Sequence, residues 1–208
     1  MAGLWGTYAK FSGDKTVQIR ADRLRAYTQL KGQQAELLKI GQLLLLANDK
    51  GFFYQVQVAQ GMANTALGRK AFPPTALGKL LEKLPNERAL YTSEAVTEER
   101  NSEHYNDELI DCDKRMFESI GMIQLSFPQN AILDERIASV EAMLTNTEDI
   151  LPHETPLDRL LSVMRGTADP EQWIGDQMKE QMPYIQRAME PLTDLLNYLQ
   201  TQINTDPR

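Results

Sequence analysis

The sequence predicts a mainly α-helical protein, a bundle of long helices with a minor β component. Residues 21–48 contain no proline and are rich in good helix formers. Near the C-terminus an apolar residue recurs every three or four positions from Met178 to Ile203. The β component rests on short alternating segments at 1–20, 52–58 and 122–127.

The chain opens with Tyr8, Lys10 and Phe11, then Ser12-Gly13-Asp14-Lys15, then Thr16-Val17-Gln18-Ile19-Arg20. Turn formers between two alternating runs predict a hairpin, so 1–20 reads as an N-terminal arm. Its Leu4, Trp5, Tyr8 and Phe11, interleaved with Gly3, Gly6 and Gly13, either dock on a partner or fold back on the core. The helix that follows repeats Leu30, Leu37 and Leu44 at seven-residue intervals, carries Gln29, Gln33, Gln34 and Gln42, and is expected to end at Gly51.

In 52–58 the alternation of Tyr54, Val56 and Val58 with glutamines predicts a strand, with a helix over 52–68 as the competing reading. Leu77, Leu80, Leu81 and Leu84 mark one face of a short helix closed by Pro85. A helical region over 87–120 follows, with a middle (97–106) so polar that it is a break or faces solvent. Residues 122–127, between Gly121 and Pro128, alternate as a second strand. Leu133, Ile137, Val140 and Leu144 then recur at helical spacing, and 145–154 reads as a loop. Thr155-Pro156 and Asp169-Pro170, the latter with Gln172, have the pattern of helix starts.

The C-terminal stripe is Met178, Met182, Ile185, Met189, Leu192, Leu196, Leu199 and Ile203, spaced alternately by four and three. Pro183 and Pro191 fall off the seam and should bend the helix around what it covers. The predicted organisation is therefore an arm (1–20), a helical body (21–165) and a curved helix (170–204) packed on that body. The stripe is either the wall of the protein's own bundle or a seam against a neighbouring subunit.

At 208 residues, with 42% apolar and 25% charged residues, the chain is long enough for a sizeable core and has an ordinary globular composition. Its longest apolar runs are too short to span a bilayer, and residues 1–10 lack the basic and apolar regions of a signal peptide. The single cysteine, Cys112, has no internal disulfide partner, which suits a reducing cytoplasmic compartment or a virion assembled there.

The net charge of −7 is unevenly spread. Residues 1–80 hold eleven Lys and Arg against four acids (+7), leaving eleven bases against 25 acids (−14) in the remainder. Opposed halves suit head-to-tail contact between copies, or a basic end that meets an acidic partner. Arg20, Arg23 and Lys31 share a helical face with Tyr27, a thin patch that permits nucleic-acid binding without favouring it.

Candidate chemistry is sparse. In the polar cluster at 98–113, His104, Glu108 and Asp111 share a face able to hold a divalent metal. Arg115 continues that face, which equally describes an exposed ion-pair ladder, and position 101 is Asn where a Glu-x-x-His site needs an acid. Cys112 lies on the opposite stripe with Tyr105, Leu109, Met116 and Ile120, as a buried structural thiol does. Gly68 and Gly78 precede basic residues, but the position after Lys79 is Leu80, with no hydroxyl for magnesium.

No catalytic residue, metal ligand or cofactor site is assigned. The expected function is a non-enzymatic structural or assembly subunit of a larger complex, a homo-oligomer or a hetero-complex, such as a phage connector, an internal virion protein or a secretion-machine component. The residues expected to carry its contacts are Trp5, Tyr8, Phe11, Arg20, Arg23, Lys31, Met182, Ile185, Met189, Leu192, Leu196 and Leu199. The alternatives are a soluble helical regulatory or effector protein, and a metal-dependent helical enzyme using the 98–113 cluster. Bound metal would distinguish the enzyme, and mass in solution the regulator.

Overall fold

The structure is a computed structural model. It describes the backbone of residues 2–71, 74–145, 163 and 170–205, and the side chains of 15–59, 89–145, 163 and 171–205. The helices in chain order are α1 (Ala2–Ala71), α2 (Pro74–Ser126), α3 (Ala131–Thr145), α4 (Pro170–Ala188) and α5 (Glu190–Thr205). The predicted α class holds. Among the described residues there is no strand.

All three predicted β segments are helical. The hairpin predicted for 1–20 is the start of α1. Two strands without a third are marginal in water, whereas extending a helix adds one backbone hydrogen bond per residue ordered. Over 52–58 the buried residues are Phe53 and Val56, which with the buried Asp49 recur at four and three, a helical period that overrides β propensity. Gly51 therefore does not end α1, and no described glycine has a positive φ. Over 122–127, Ile123 and Phe127 are buried four apart with Ile120, while Leu125 is 89% exposed. The Phe127 amide closes the last turn on the Ile123 carbonyl at 3.0 Å.

Proline positions decide the other boundaries. α1 has no proline along its 70 residues, and Pro74 opens α2 at a position where a missing N–H costs nothing. α2 continues through Pro85, where the sequence predicts a stop, and through the polar 97–106 stretch. The predicted C-terminal helix is two helices that part at Met189. Pro191 has no N–H and its ring opposes the carbonyl four residues back, so it is accommodated in the first turn of α5, whereas Pro183 stays inside α4. Met189 bridges the junction: its amide meets the carbonyls of Ile185 (3.1 Å) and Gln186 (3.2 Å), and its carbonyl accepts from Thr193 N–H at 3.1 Å. The predicted loop over 145–154 and the Thr155-Pro156 start lie outside the described residues beyond Thr145, as does Asp169.

The chain divides into two compact units. One comprises residues 1–39, 109–150 and 184–208. In it α3 packs on α5, bringing Leu133, Ile137, Val140 and Leu144 to Leu192, Leu195, Leu196, Leu199 and Ile203. Ala26 and Leu30 of α1, and Cys112, Met116, Ile120 and Ile123 of α2, are buried in the same unit. Asn130 caps α3, its side-chain oxygen accepting from the amides of Ile132 (3.1 Å) and Leu133 (3.0 Å). The Tyr198 hydroxyl of α5 meets the same Asn130, whose Nδ2 donates to it at 2.9 Å.

The other unit comprises residues 40–108 and 151–183. Its core gathers Phe53, Val56, Val163, Trp173 and Ile174, edged by Leu46, Phe52, Tyr54 and Met178. Trp173 lies 5.7 Å from the Phe53 ring and 6.4 Å from that of Phe52. In the same unit the buried Glu98 takes Nδ2 of Asn101 at 3.1 Å and lies 3.7 Å from Lys50, while at the surface Ser102 donates to Asn48 at 2.7 Å. Gly51 packs against Glu98, and a Cβ there would stand 3.6 Å from the Glu98 Cβ, an ordinary contact.

Leu192 is fully buried and Leu125 almost fully exposed. Leu192→Ala should cost about 2–5 kcal/mol of unfolding free energy, against under about 0.5 kcal/mol for Leu125→Ala. Denaturant unfolding of the two variants measures the difference.

Candidate functional site

The structure sorts the residues predicted to make contacts into three groups. Trp5, Tyr8 and Phe11 belong to α1, and their side chains lie outside the described residues. Of the C-terminal set, Ile185, Leu192, Leu196 and Leu199 are buried and Met182 and Met189 half-buried, so the stripe is largely a wall of the protein's own core. Leu195, outside the heptad register, is fully buried too and widens that stripe.

The basic residues separate. Arg23 is engaged within its own unit: its Nε donates to the Ser126 carbonyl at 2.9 Å and its guanidinium lies 5.6 Å from the Phe127 ring centre. Lys31 is exposed above the Tyr27 ring at 5.8 Å, and Tyr27 donates to Gln200 at 3.2 Å. Arg20 is exposed, and so is Arg25, which the sequence reading did not single out. Every residue from 15 to 22 is exposed, around the full circumference of α1. Val17 is 70% and Leu24 52% exposed.

The acidic cluster of α2 holds no metal arrangement. Among the described residues no three His, Cys, Asp or Glu side chains converge on a common point. His104 meets Glu108 at 3.3 Å, and its ring lies tilted to that of Tyr105 at 5.5 Å. The expected Asp111–Arg115 step of the ladder is not formed. Lys114 takes Asp111 at 2.9 Å, and this hydrogen bond and charge hold the Asp111 carboxyl below its ordinary range. Arg115 reaches Glu36 of α1 at 2.8 Å. The outward face of α2 keeps Ile110 and Phe117 exposed, at 53% and 40%, among Glu103, Asp107 and Glu118.

Beneath that face, Cys112 is fully buried and its thiol donates to the Gln33 carbonyl at 3.8 Å. Burial pushes the thiol pKa up, away from the reactive thiolate. Gln33 Nε2 donates to the Arg115 carbonyl at 3.0 Å, a further α1–α2 bond within this unit. Neighbouring Asp113 has one carboxylate oxygen buried without a hydrogen bond, and burial pushes its pKa up to about 6.

An open cleft of about 470 Å³ lies between α3 and the α4–α5 junction, lined by Ile132, Arg136, Ser139, Arg187, Glu190 and Asp194 among others. Arg136 approaches Asp194 at 3.8 Å and lies over the Tyr198 ring at 5.5 Å. Arg187 lies over the Tyr184 ring at 5.9 Å. Opposed charges line the cleft together, and it contains neither a thiol nor an imidazole.

Comparison with protein-family models, with curated proteins and with solved structures finds no match to this chain.

The raised Asp113 pKa has a defined pH signature. The folded protein holds this proton up to about pH 6, whereas an unfolded aspartate releases it near pH 4, so the group's contribution to stability falls as pH rises between those values. Asp113→Asn should flatten that decline and leave the protein more stable at pH 7, by on the order of 1 kcal/mol for a partly exposed group. Unfolding free energies at pH 4 and pH 7 for both proteins measure it.

Proposed function

We propose that this chain is a non-enzymatic assembly subunit, a structural protein of a virion or a component of a secretion machine, made in a reducing compartment. The observation that carries the reading is the stretch of α1 from residue 15 to 22, exposed on every side while bearing Val17, Ile19, Lys15 and Arg20. Isolated helical segments in water are marginal, and most helical stability comes from packing on a neighbour. Among the described residues, no side chain from 15 to 22 is buried. The opposed charges of residues 1–80 and 81–208 support the same reading, since they favour contact between unlike ends of different molecules.

Light scattering after size exclusion, at 0.1 M and 1 M NaCl, tests it. Over that range the Debye length falls from about 10 Å to about 3 Å, so charge-assisted contacts weaken while apolar cores do not. The expected result is an assembled species at low salt that dissociates at high salt with its helical circular dichroism intact. A monomer at both salt concentrations overturns the reading.

A further inference from the structure

We propose that the exposed face of α1 around Val17 and Leu24 docks on the outward face of α2 around Ile110 and Phe117 in a second copy of this chain. The inference rests on the assembly reading and names the two surfaces that meet.

Both faces have the same design. Val17 and Leu24 are seven residues apart, as are Ile110 and Phe117, so on each helix two exposed apolar side chains stand about 10 Å apart along one side. Ala21 lies between the first pair and permits close approach of another helix. Neither pair belongs to the chain's own core, which α1 enters through Ala26 and Leu30 and α2 through Cys112, Met116, Ile120 and Ile123. Each helix thus carries an exposed apolar pair outside its buried stripe.

The flanking charges are opposite. On the α1 side, at helical spacing from Val17 and Leu24, stand Arg20, Arg25 and Lys31, with no acid on that face from 17 to 31. On the α2 side stand Glu103, Asp107 and Glu118, while the one lysine there, Lys114, is held by Asp111 at 2.9 Å. Arg20, Arg25, Glu103, Asp107 and Glu118 make no ion pair with any described residue.

This pattern selects the pairing. Two α1 faces brought together would oppose three cations to three cations, and two α2 faces would oppose acids to acids. Only α1 on α2 sets unlike charges around paired apolar residues. Such a contact joins two different patches, so each copy offers one donor face and one acceptor face, and repetition yields a ring or a filament rather than a closed two-fold dimer.

Charge reversal tests the contact with the full chain. The double variants Arg20→Glu/Arg25→Glu and Asp107→Lys/Glu118→Lys change exposed residues, and circular dichroism verifies their helicity. Each variant alone should lose assembly at 0.1 M NaCl, with association weakened about tenfold or more. Mixed in equal amounts they should assemble again, because reversed α1 meets reversed α2 and the unchanged faces meet each other. Leu24→Asn, with charges intact, should weaken assembly in the same assay. If the unaltered protein assembles and both double variants keep its mass, or if the mixture fails to restore what each lost, this contact is wrong while the assembly reading stands. A monomeric unaltered protein removes both.

Discussion

The packing of α3 on α5 is the constraint around which the first unit is built. A fifteen-residue helix and a sixteen-residue helix are each near the length at which isolated helices are marginal, so neither is stable without the other's apolar stripe. Leu133, Ile137, Val140 and Leu144 cover one side of that seam, and Leu192 through Ile203 the other. The approach to α3 is set by Asn130, which caps the helix and meets Tyr198 of α5, so one side chain both starts α3 and ties it to its partner. α1 reaches α5 through polar contacts, Tyr27 donating to Gln200 at 3.2 Å and Gln34 to Thr193 at 2.9 Å.

The second unit solves a different problem, because its helical stretches carry many polar residues. An aromatic cluster around Trp173 and Phe53 supplies the apolar area, and the buried Glu98 is compensated by Asn101 and Lys50. Burying a carboxylate is costly, and its pairing offsets the cost only in part. Asp113, in the first unit, shows the uncompensated case: a buried oxygen without a hydrogen bond and a raised pKa.

The surfaces left over after both cores are satisfied are the informative ones. Most exposed apolar side chains on a protein need no explanation. Val17 with Leu24 and Ile110 with Phe117 differ because each pair repeats at a helical period outside the buried stripe and is flanked by charge of one prevailing sign. A helix with apolar stripes on two sides suits packing against two neighbours. For α1 and α2 one of those neighbours is the chain itself, and the other is the position proposed for a second copy.

The sequence by itself determined the helical class, the Leu133 to Leu144 face of α3 and the burial of Ile185, Leu192, Leu196, Leu199 and Ile203, though not of Leu195, because each depends on local periodicity that any amphipathic helix must satisfy. It also identified Cys112 as a buried thiol from its place among Leu109, Met116 and Ile120. It did not determine the fate of 1–20, 52–58 and 122–127. Alternation over five to seven residues fits a strand and one side of a helix alike, and only the partners available to Phe53, Ile123 and Phe127 chose between them. Nor did local pattern separate Arg23 from Arg20. They share a helical face, yet the Ser126 carbonyl and the Phe127 ring, more than one hundred positions away in the chain, engage one and leave the other exposed. Contacts of that range exist only once the helices have packed.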